Sequence, residues 1–290
     1  MAIPYRRASF RLRAGDRVLD LGARTLVMGI LNVTPDSFSD GGEFLSPQRA
    51  AERAWQIAAE GADILDIGGE STRPGSSPVP FEEEQRRVLP VLEALAGRYP
   101  IPVSIDTRRP EVARRALELG AVIVNDVTGL QGDSRIAEEA AAHRAGLILV
   151  HMRGEPATMQ LQPPSDDILR EIEAWAGRAV ARARSCGVAE DRIVLDPGIG
   201  FGKTAEQNLL ILRQLERAGA IGFPLLVGTS RKSFIGAVLG SPVPRRAWGT
   251  AATVAASIIF GAHIVRVHDV AAMRDVARMT DAIMAEGSGE

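Results

Sequence analysis

Eight short apolar runs are spread along the chain, and each has the length of a buried strand. They lie at Thr25–Leu31, Ile64–Gly68, Val103–Ile105, Val122–Val124, Leu147–Val150, Ile193–Asp196, Pro224–Val227 and Ile264–Val265. Between them apolar residues recur at helical spacing, as they do from Ile168 to Val180. This alternation predicts an α/β fold, and it fits a closed (β/α)8 TIM barrel better than an open doubly wound sheet.

The first part of the chain differs from this repeating pattern. Up to about residue 23 it is polar and arginine-rich, and the alternating stretch Phe10–Ala14 predicts a short N-terminal hairpin or extension. No later stretch resembles an interdomain linker. We therefore expect one domain over residues 1–290, with the barrel proper from about 25 to 285.

Polar side chains follow nearly every predicted strand. The set is Asn32, Glu70 to Arg73, Asp106, Asn125, His151, Asp196, Ser230 to Lys232, Arg266 and His268. Because ligands bind where the strands of such a barrel end, these residues predict a site at one rim.

Four of these residues suit a flat, nitrogen-rich heterocycle. The carboxylates of Asp106 and Asp196 accept hydrogen bonds from an amine and a ring N–H, and Lys232 donates to a ring carbonyl. The Asn125 amide both donates and accepts. Two carboxylates beside a developing cation would also stabilise it.

A separate group at the rim suits an anion. Arg266 and His268 are two residues apart on one strand and therefore point to the same side. Near Asn32, they would form a pocket for a phosphate or pyrophosphate.

The overall composition excludes several classes of protein. The net charge of −2 gives no basic surface for nucleic acid, and no run approaches the ~18 apolar residues of a membrane helix. The start of the sequence has no apolar run typical of a signal peptide, and the single cysteine, Cys186, suits a reducing compartment. We therefore expect a cytoplasmic protein. The four histidines are scattered, which argues against a zinc site.

The glycine-rich stretch Gly198–Thr204 superficially suggests a nucleotide-binding loop. A P-loop would need glycine where Pro197 stands, and a dinucleotide fingerprint would need glycine at Lys203. No nucleophile elbow is recognisable either, so no covalent nucleophile is predicted.

From about Val27 to Asp269 the chain resembles dihydropteroate synthase, a folate-pathway enzyme family. Seven blocks in order carry the resemblance: Asn32–Gly42, Gly68–Gly75, Ser104–Thr107, Asn125–Val127, Leu195–Lys203, Ser230–Lys232 and Arg266–Asp269. The family joins p-aminobenzoate to 6-hydroxymethyl-7,8-dihydropterin pyrophosphate and releases pyrophosphate. The reaction is expected to pass through a stabilised pterin cation.

The resemblance implies a role for each matching residue. The pterin would be bound by Asp106, Asn125, Asp196, Lys232, Arg266, Met152 and Gly228. The p-aminobenzoate pocket would be formed by Thr72, Arg73, Pro74, Phe201, Ser230 and Phe38. Pyrophosphate would be bound by Asn32, Arg266 and His268, with Mg²⁺ on Asn32. The catalytic set would be Asp106, Lys232, Arg266 and His268.

The resemblance also implies a sulfonamide target and a homodimer. Ala255, Ile259 and Met273 in the last two helices could pair across such a dimer, or they could cover the barrel. Two other functions remain open. One is a pterin-binding methyltransferase that passes a methyl group from a folate to a corrinoid, and the other is a paralogue that binds pterin without catalysis.

Overall fold

The structure is a computed structural model that describes residues 7–34, 46–71, 76, 78–155, 157–219 and 221–285. Two strands, β1 (Phe10–Ala14) and β2 (Arg17–Leu21), form an antiparallel hairpin. Eight parallel strands follow. They are β3 (Leu26–Asn32), β4 (Ile64–Gly68), β5 (Val103–Asp106), β6 (Ile123–Asp126), β7 (Gly146–Val150), β8 (Ile193–Asp196), β9 (Leu226–Val227) and β10 (Ile264–Val267).

The eight parallel strands close into a barrel. Their order is β8-β7-β6-β5-β4-β3-β10-β9, and a bridge between Leu195 and Leu225 joins the two ends. At the same junction the Leu195 amide donates to the Pro224 carbonyl at 3.0 Å. The predicted (β/α)8 barrel and its N-terminal hairpin are thus confirmed.

Ten α-helices occur in the described part of the chain. They are α1 (Pro47–Ala59), α2 (Phe81–Leu95), α3 (Pro110–Glu118), α4 (Arg135–Ala142), α5 (Ile168–Ser185), α6 (Ala205–Arg213), α7 (Leu215–Gly219), α8 (Ser233–Leu239), α9 (Ala247–Ile259) and α10 (Val270–Met284). Local chemistry explains several starts: α3 begins at a proline, and the side chains of Thr204 and Gln207 form a capping box at α6. None of these helices is long and apolar enough to cross a membrane.

The strands separate two apolar layers. Outward-facing residues such as Leu65 and Ile67 of β4 pack against the helices, whereas Ile64 of the same strand points into the barrel. Met273 of α10 is buried in the outer layer, so it covers the barrel and is not available for a dimer contact. Ala255 and Ile259 of α9 are only half-buried.

The hairpin closes the N-terminal end of the barrel. Leu12 and Leu21 pack against inward-facing residues of the barrel strands, among them Ile64 and Ile123. Beside them His263 accepts a hydrogen bond from the Leu225 amide on Nδ1, and its Nε2 donates to the Ala8 carbonyl. Burial lowers the pKa of this imidazole to about 4. This end of the barrel is therefore apolar, and its buried polar ring is satisfied.

Candidate active site

The interior of the barrel changes from apolar to polar towards the carboxyl ends of the strands. Since side chains alternate along a strand, the residue two places after an inward-facing apolar one also faces inward. On β4, β6, β8 and β10 this step leads from Ile64 to Asp66, Ile123 to Asn125, Val194 to Asp196 and Ile264 to Arg266. The sequence thus places buried polar groups at one mouth.

Arg266 connects three strands at this mouth. Its Nε donates to Asp66 Oδ2 at 2.6 Å, and its Nη2 donates to Asp106 Oδ2 at 2.7 Å. Asp66 also accepts a hydrogen bond of 3.0 Å from Asn125 Nδ2. Asp106, Asn125 and Arg266, which the sequence predicted as pterin ligands, are therefore held together by Asp66.

Asp106 is the carboxylate most affected by its surroundings. Burial raises its pKa to about 7, with Asp66 adding to the rise and Arg266 opposing it. The group consequently changes charge near neutral pH, where a buried carboxylate can respond to a cation in the site.

Asp196 and Lys232 form the second charged part of the mouth. The amide of Gly198 donates to Asp196 Oδ1 at 2.7 Å, and burial raises the pKa of this carboxyl while Lys232 opposes the rise. Lys232 lies at the N-terminus of α8, where its Nζ donates to the Ile199 carbonyl. Burial lowers its pKa to about 8, and the ammonium lies 4.4 Å from the centre of the Phe201 ring.

The glycine-rich loop after β8 is shaped by close backbone contacts. Gly198 has φ +67°, and a Cβ there would overlap the His151 carbonyl oxygen. The buried Lys203 donates from Nζ to the carbonyls of His151, Gly198 and Phe201 at 3.1, 2.8 and 3.1 Å. The glycines and Lys203 therefore fix the loop that carries Phe201. This structural role explains the glycine-rich stretch Gly198–Thr204, and no nucleotide-binding function is needed.

Side-chain contacts connect the loop after β9 with the loop after β10 at the rim. Ser230 Oγ lies 2.9 Å from Nδ1 of His268, and Arg231 forms an ion pair with Asp269. Arg231 has φ +59°, an uncommon conformation for a residue with a side chain. Such backbone conformations persist only where the surroundings enforce them, and here two side-chain contacts across the rim do so.

A charge network holds the base of the loop that follows β4. Glu70 receives hydrogen bonds from Arg108 at 3.0 Å and Arg109 at 2.9 Å. Arg109 also contacts the carbonyl of Val79 and the buried carboxylate of Glu84. Both ends of this loop are thereby attached to the start of α3.

Comparison with known proteins identifies the family. The profile of the pterin binding enzyme family matches residues 28–268. The dihydropteroate synthase of a Synechocystis species is 51% identical over 94% of this chain and 94% of its own length. The chain belongs to the dihydropteroate synthase family.

Solved structures of dihydropteroate synthases share the fold. The Burkholderia cenocepacia enzyme, complexed with 7,8-dihydropteroate, superposes with a TM-score of 0.85 at 40% identity, covering 94% of this chain and 96% of that one. The Thermus thermophilus enzyme, in complex with 4-aminobenzoate, superposes with a TM-score of 0.84 at 45% identity and covers 94% and 99%. The family resemblance predicted from the sequence is confirmed.

Not every residue predicted for the synthase site joins the central cluster. Met152 lines a neighbouring cavity of about 660 Å³ together with Thr128 and Gln131. The imidazole of His151 is buried against Trp175 of α5, with the ring centres 5.2 Å apart. Gly228 abuts the cluster, since a Cβ there would lie 3.7 Å from Cβ of Arg266. Phe38, Thr72, Arg73 and Pro74 lie outside the described residues.

The donor set for a metal ion is small at this mouth of the barrel. No group of three or more His, Cys, Asp or Glu side chains that could bind a metal occurs among the described residues. Asn32 ends β3 at the mouth, where its backbone pairs with Gly68. A single amide oxygen suits a Mg²⁺ ion whose other ligands are phosphate oxygens and water molecules. It is too few for a site built entirely from protein ligands.

Proposed function

We propose that this protein condenses 6-hydroxymethyl-7,8-dihydropterin pyrophosphate with p-aminobenzoate to give 7,8-dihydropteroate and pyrophosphate, as a transferase of folate biosynthesis. The observation that carries the proposal is the set formed by the buried Asp66, Asp106 and Asn125 with the partly buried Arg266 at the barrel mouth. It occurs in a chain that shares 51% identity with a dihydropteroate synthase. Buried charges in such a pocket are costly unless a ligand or a partner uses them.

The pterin ring is the ligand that suits this set. Asp106, Asn125, Asp196 and Lys232 supply the acceptors and donors that would match the amino, ring N–H and carbonyl groups of its edge. Met152 and Gly228 would border the ring, and the guanidinium of Arg266 would cover one face.

The anion pocket receives the leaving group. Arg266, His268 and Asn32 lie on the ends of two neighbouring strands, β10 and β3. Arg266 and His268 would donate to the pyrophosphate, and Asn32 would supply one oxygen to Mg²⁺. When bound, that ion neutralises the charge of the departing phosphates.

The chemical step follows from these charges. The bond between the pterin methylene carbon and the pyrophosphate oxygen breaks, and the electron pair leaves with pyrophosphate. The resulting cation is delocalised into the ring, where the Asp106 carboxylate stabilises it. The p-aminobenzoate nitrogen then forms a bond to the methylene carbon and loses a proton.

Phe201 and Ser230 are the described part of the proposed p-aminobenzoate pocket. Phe201 stands beside Lys232 on the fixed glycine loop, and Ser230 is held by His268. Thr72, Arg73, Pro74 and Phe38 would complete this pocket. An arylamine bound between these groups would face the pterin methylene, and sulfonamides, which resemble it, would compete for the same place.

Incorporation of radiolabelled p-aminobenzoate into dihydropteroate tests the activity. Product that requires the pterin pyrophosphate and Mg²⁺ supports the proposal. Methyl transfer that depends on cobalamin, without dihydropteroate, would establish the methyltransferase instead. Pterin binding with neither activity, and no rescue of a folate auxotroph, would establish the non-catalytic paralogue.

We further propose one domain over residues 1–290 that works as a cytoplasmic homodimer. The exposed side chain of Trp248 at the start of α9, and the half-buried Ala255 and Ile259 on the same helix, support an interface there. Sedimentation of the wild-type protein and of Trp248→Ser tests this. A dimer that dissociates in the variant agrees with the proposal, and a monomeric wild type refutes it.

A further inference from the structure

Asp66 is a buried carboxylate in the interior of the barrel. It lies in the middle of β4, and its side chain has no exposed surface. A charge in this position costs several kcal/mol unless partners compensate for it. The surrounding strands must therefore supply those partners.

Two side chains from other strands use the same oxygen of Asp66. Arg266 of β10 donates from Nε at 2.6 Å, and Asn125 of β6 donates from Nδ2 at 3.0 Å. Since only the NH₂ group of an amide can donate to a carboxylate, this contact fixes which way the Asn125 amide faces. Its Oδ1 is then left buried without a hydrogen-bond partner among the described residues.

We propose that Asp66 is a positioning residue for the pterin site. It holds the Arg266 guanidinium beside Asp106, and it turns the Asn125 carbonyl oxygen towards an N–H donor of the bound ring. Asp66 acts through these two residues and needs no contact with a substrate. The inference rests on the proposed function, which supplies the ring.

The charge of Asp66 also acts on Asp106. The charged groups that face Asp106 are Arg266 from β10, Asp66 from β4, Glu84 from α2, Asp126 from β6 and Lys232 from the start of α8. Removal of the Asp66 charge takes away one repulsion and frees Arg266 from its competing ion pair with Asp66. Both changes lower the pKa of Asp106.

Asp66→Asn tests the proposal, with Asp63→Asn as its matched control. Asp63 lies just before the same strand at the opposite end of the barrel, where it accepts hydrogen bonds from Arg24 and from the Val27 amide. In Asp66→Asn we expect the KM for the pterin substrate to rise about tenfold, the scale of one charged hydrogen bond, with an unchanged KM for p-aminobenzoate. The acid limb of kcat/KM should move to lower pH.

Asp63→Asn, the control, should lower the stability of the fold but change neither the pterin KM nor the acid limb of kcat/KM. Wild-type pterin KM and an unmoved acid limb in Asp66→Asn would overturn the proposal, even if the variant were less stable. A wild type that makes no dihydropteroate would refute the proposed function instead, and pterin calorimetry on the same variants would still decide the role of Asp66.

A neutron crystal structure of the wild type with a bound pterin, which locates the amide hydrogens of Asn125, tests the same point if Asp66→Asn does not fold. We expect Asn125 Nδ2 to remain on Asp66 and Oδ1 to accept from a ring N–H. An amide rotated so that its NH₂ faces the ring would contradict the proposal.

Discussion

The two ends of the barrel are built from the same strands but have opposite chemistry. At the N-terminal end, Leu12 and Leu21 of the hairpin cover apolar side chains, and the buried imidazole of His263 has both nitrogens hydrogen-bonded. At the carboxyl end, buried carboxylates share Arg266, and polar atoms of Asp66 and Asn125 have no partner among the described residues. The N-terminal end therefore stabilises the fold, whereas the carboxyl end leaves polar atoms available to a ligand.

The difference predicts which substitutions affect activity and which affect only stability. Arg266→Ala should have the largest effect, because it leaves Asp66 and Asp106 buried without their cation. Breaking such a pair costs about 3–5 kcal/mol. We expect kcat/KM to fall by at least about 100-fold and the pyrophosphate affinity to fall with it, as measured by steady-state kinetics and calorimetry. Lower thermal stability with unchanged turnover would contradict the anion-pocket assignment.

Leu12→Ala makes the complementary change at the closed end. Leu12 is 2% exposed, so the substitution should lower the free energy of unfolding by about 2–5 kcal/mol. Both KM values should stay at wild-type levels at temperatures where the variant is folded. Denaturant titration and kinetics at 20 to 25 °C measure the two effects. A raised pterin KM in this variant would show that the two ends are coupled.

Asp196→Asn should weaken pterin binding at the barrel mouth and leave the protein folded. The amide keeps an acceptor for the Gly198 N–H but loses the charge opposite Lys232. Pterin affinity should fall by about 1–3 kcal/mol, which calorimetry would detect directly. The Asp63→Asn protein serves as the control carboxylate, and equal pterin affinity in wild type and Asp196→Asn would exclude Asp196 as a ligand.

Much of this comparison follows from the sequence alone. The eight apolar runs predict the barrel, and the polar residues that end or follow these runs predict its mouth. Asp106, Asn125 and Asp196 were predicted in this way. Asp66 was missed because it lies within its strand and not after it. A lone aspartate between Leu65 and Ile67 was nevertheless a signal, since a buried charge needs a partner. That partner, Arg266, is 200 residues away in sequence, so no local pattern could reveal it.

Helices α4 and α8 have weak signals in the sequence, for different physical reasons. Helix α8 (Ser233–Leu239) has only 7 residues and contains Gly236, so local propensity gives a weak signal, and tertiary packing of Phe234 and Ile235 stabilises it. Helix α4 (Arg135–Ala142) has only 8 residues, and Ile136 is its one large apolar side chain, so its helical pattern in the sequence is short. Contacts made by the folded chain define both.

The pH dependence of activity should reflect the raised pKa of Asp106, which is about 7 in the free protein. Because the carboxylate must be ionised to stabilise the cation, kcat/KM should fall about tenfold for each pH unit below that pKa. Assays between pH 5 and 9 would measure the limb, after correction for ionisation of the substrates. The residual activity of Asp106→Asn should not show this acid limb. An acid limb that persists in the variant would belong to another titrating group.

The smallest effect is expected for Arg24→Ala at the closed end. Arg24 pairs with Asp63 as Arg266 pairs with its carboxylates, but 59% of the Arg24 side chain is exposed. Exposed pairs of this kind contribute about 0.2–1 kcal/mol, and Asp63 keeps its hydrogen bond from the Val27 amide. Denaturant titration should therefore show a small loss of stability, with activity unchanged. A loss as large as that of Arg266→Ala would mean that burial does not distinguish the two ion pairs, and the contrast between the ends would no longer hold.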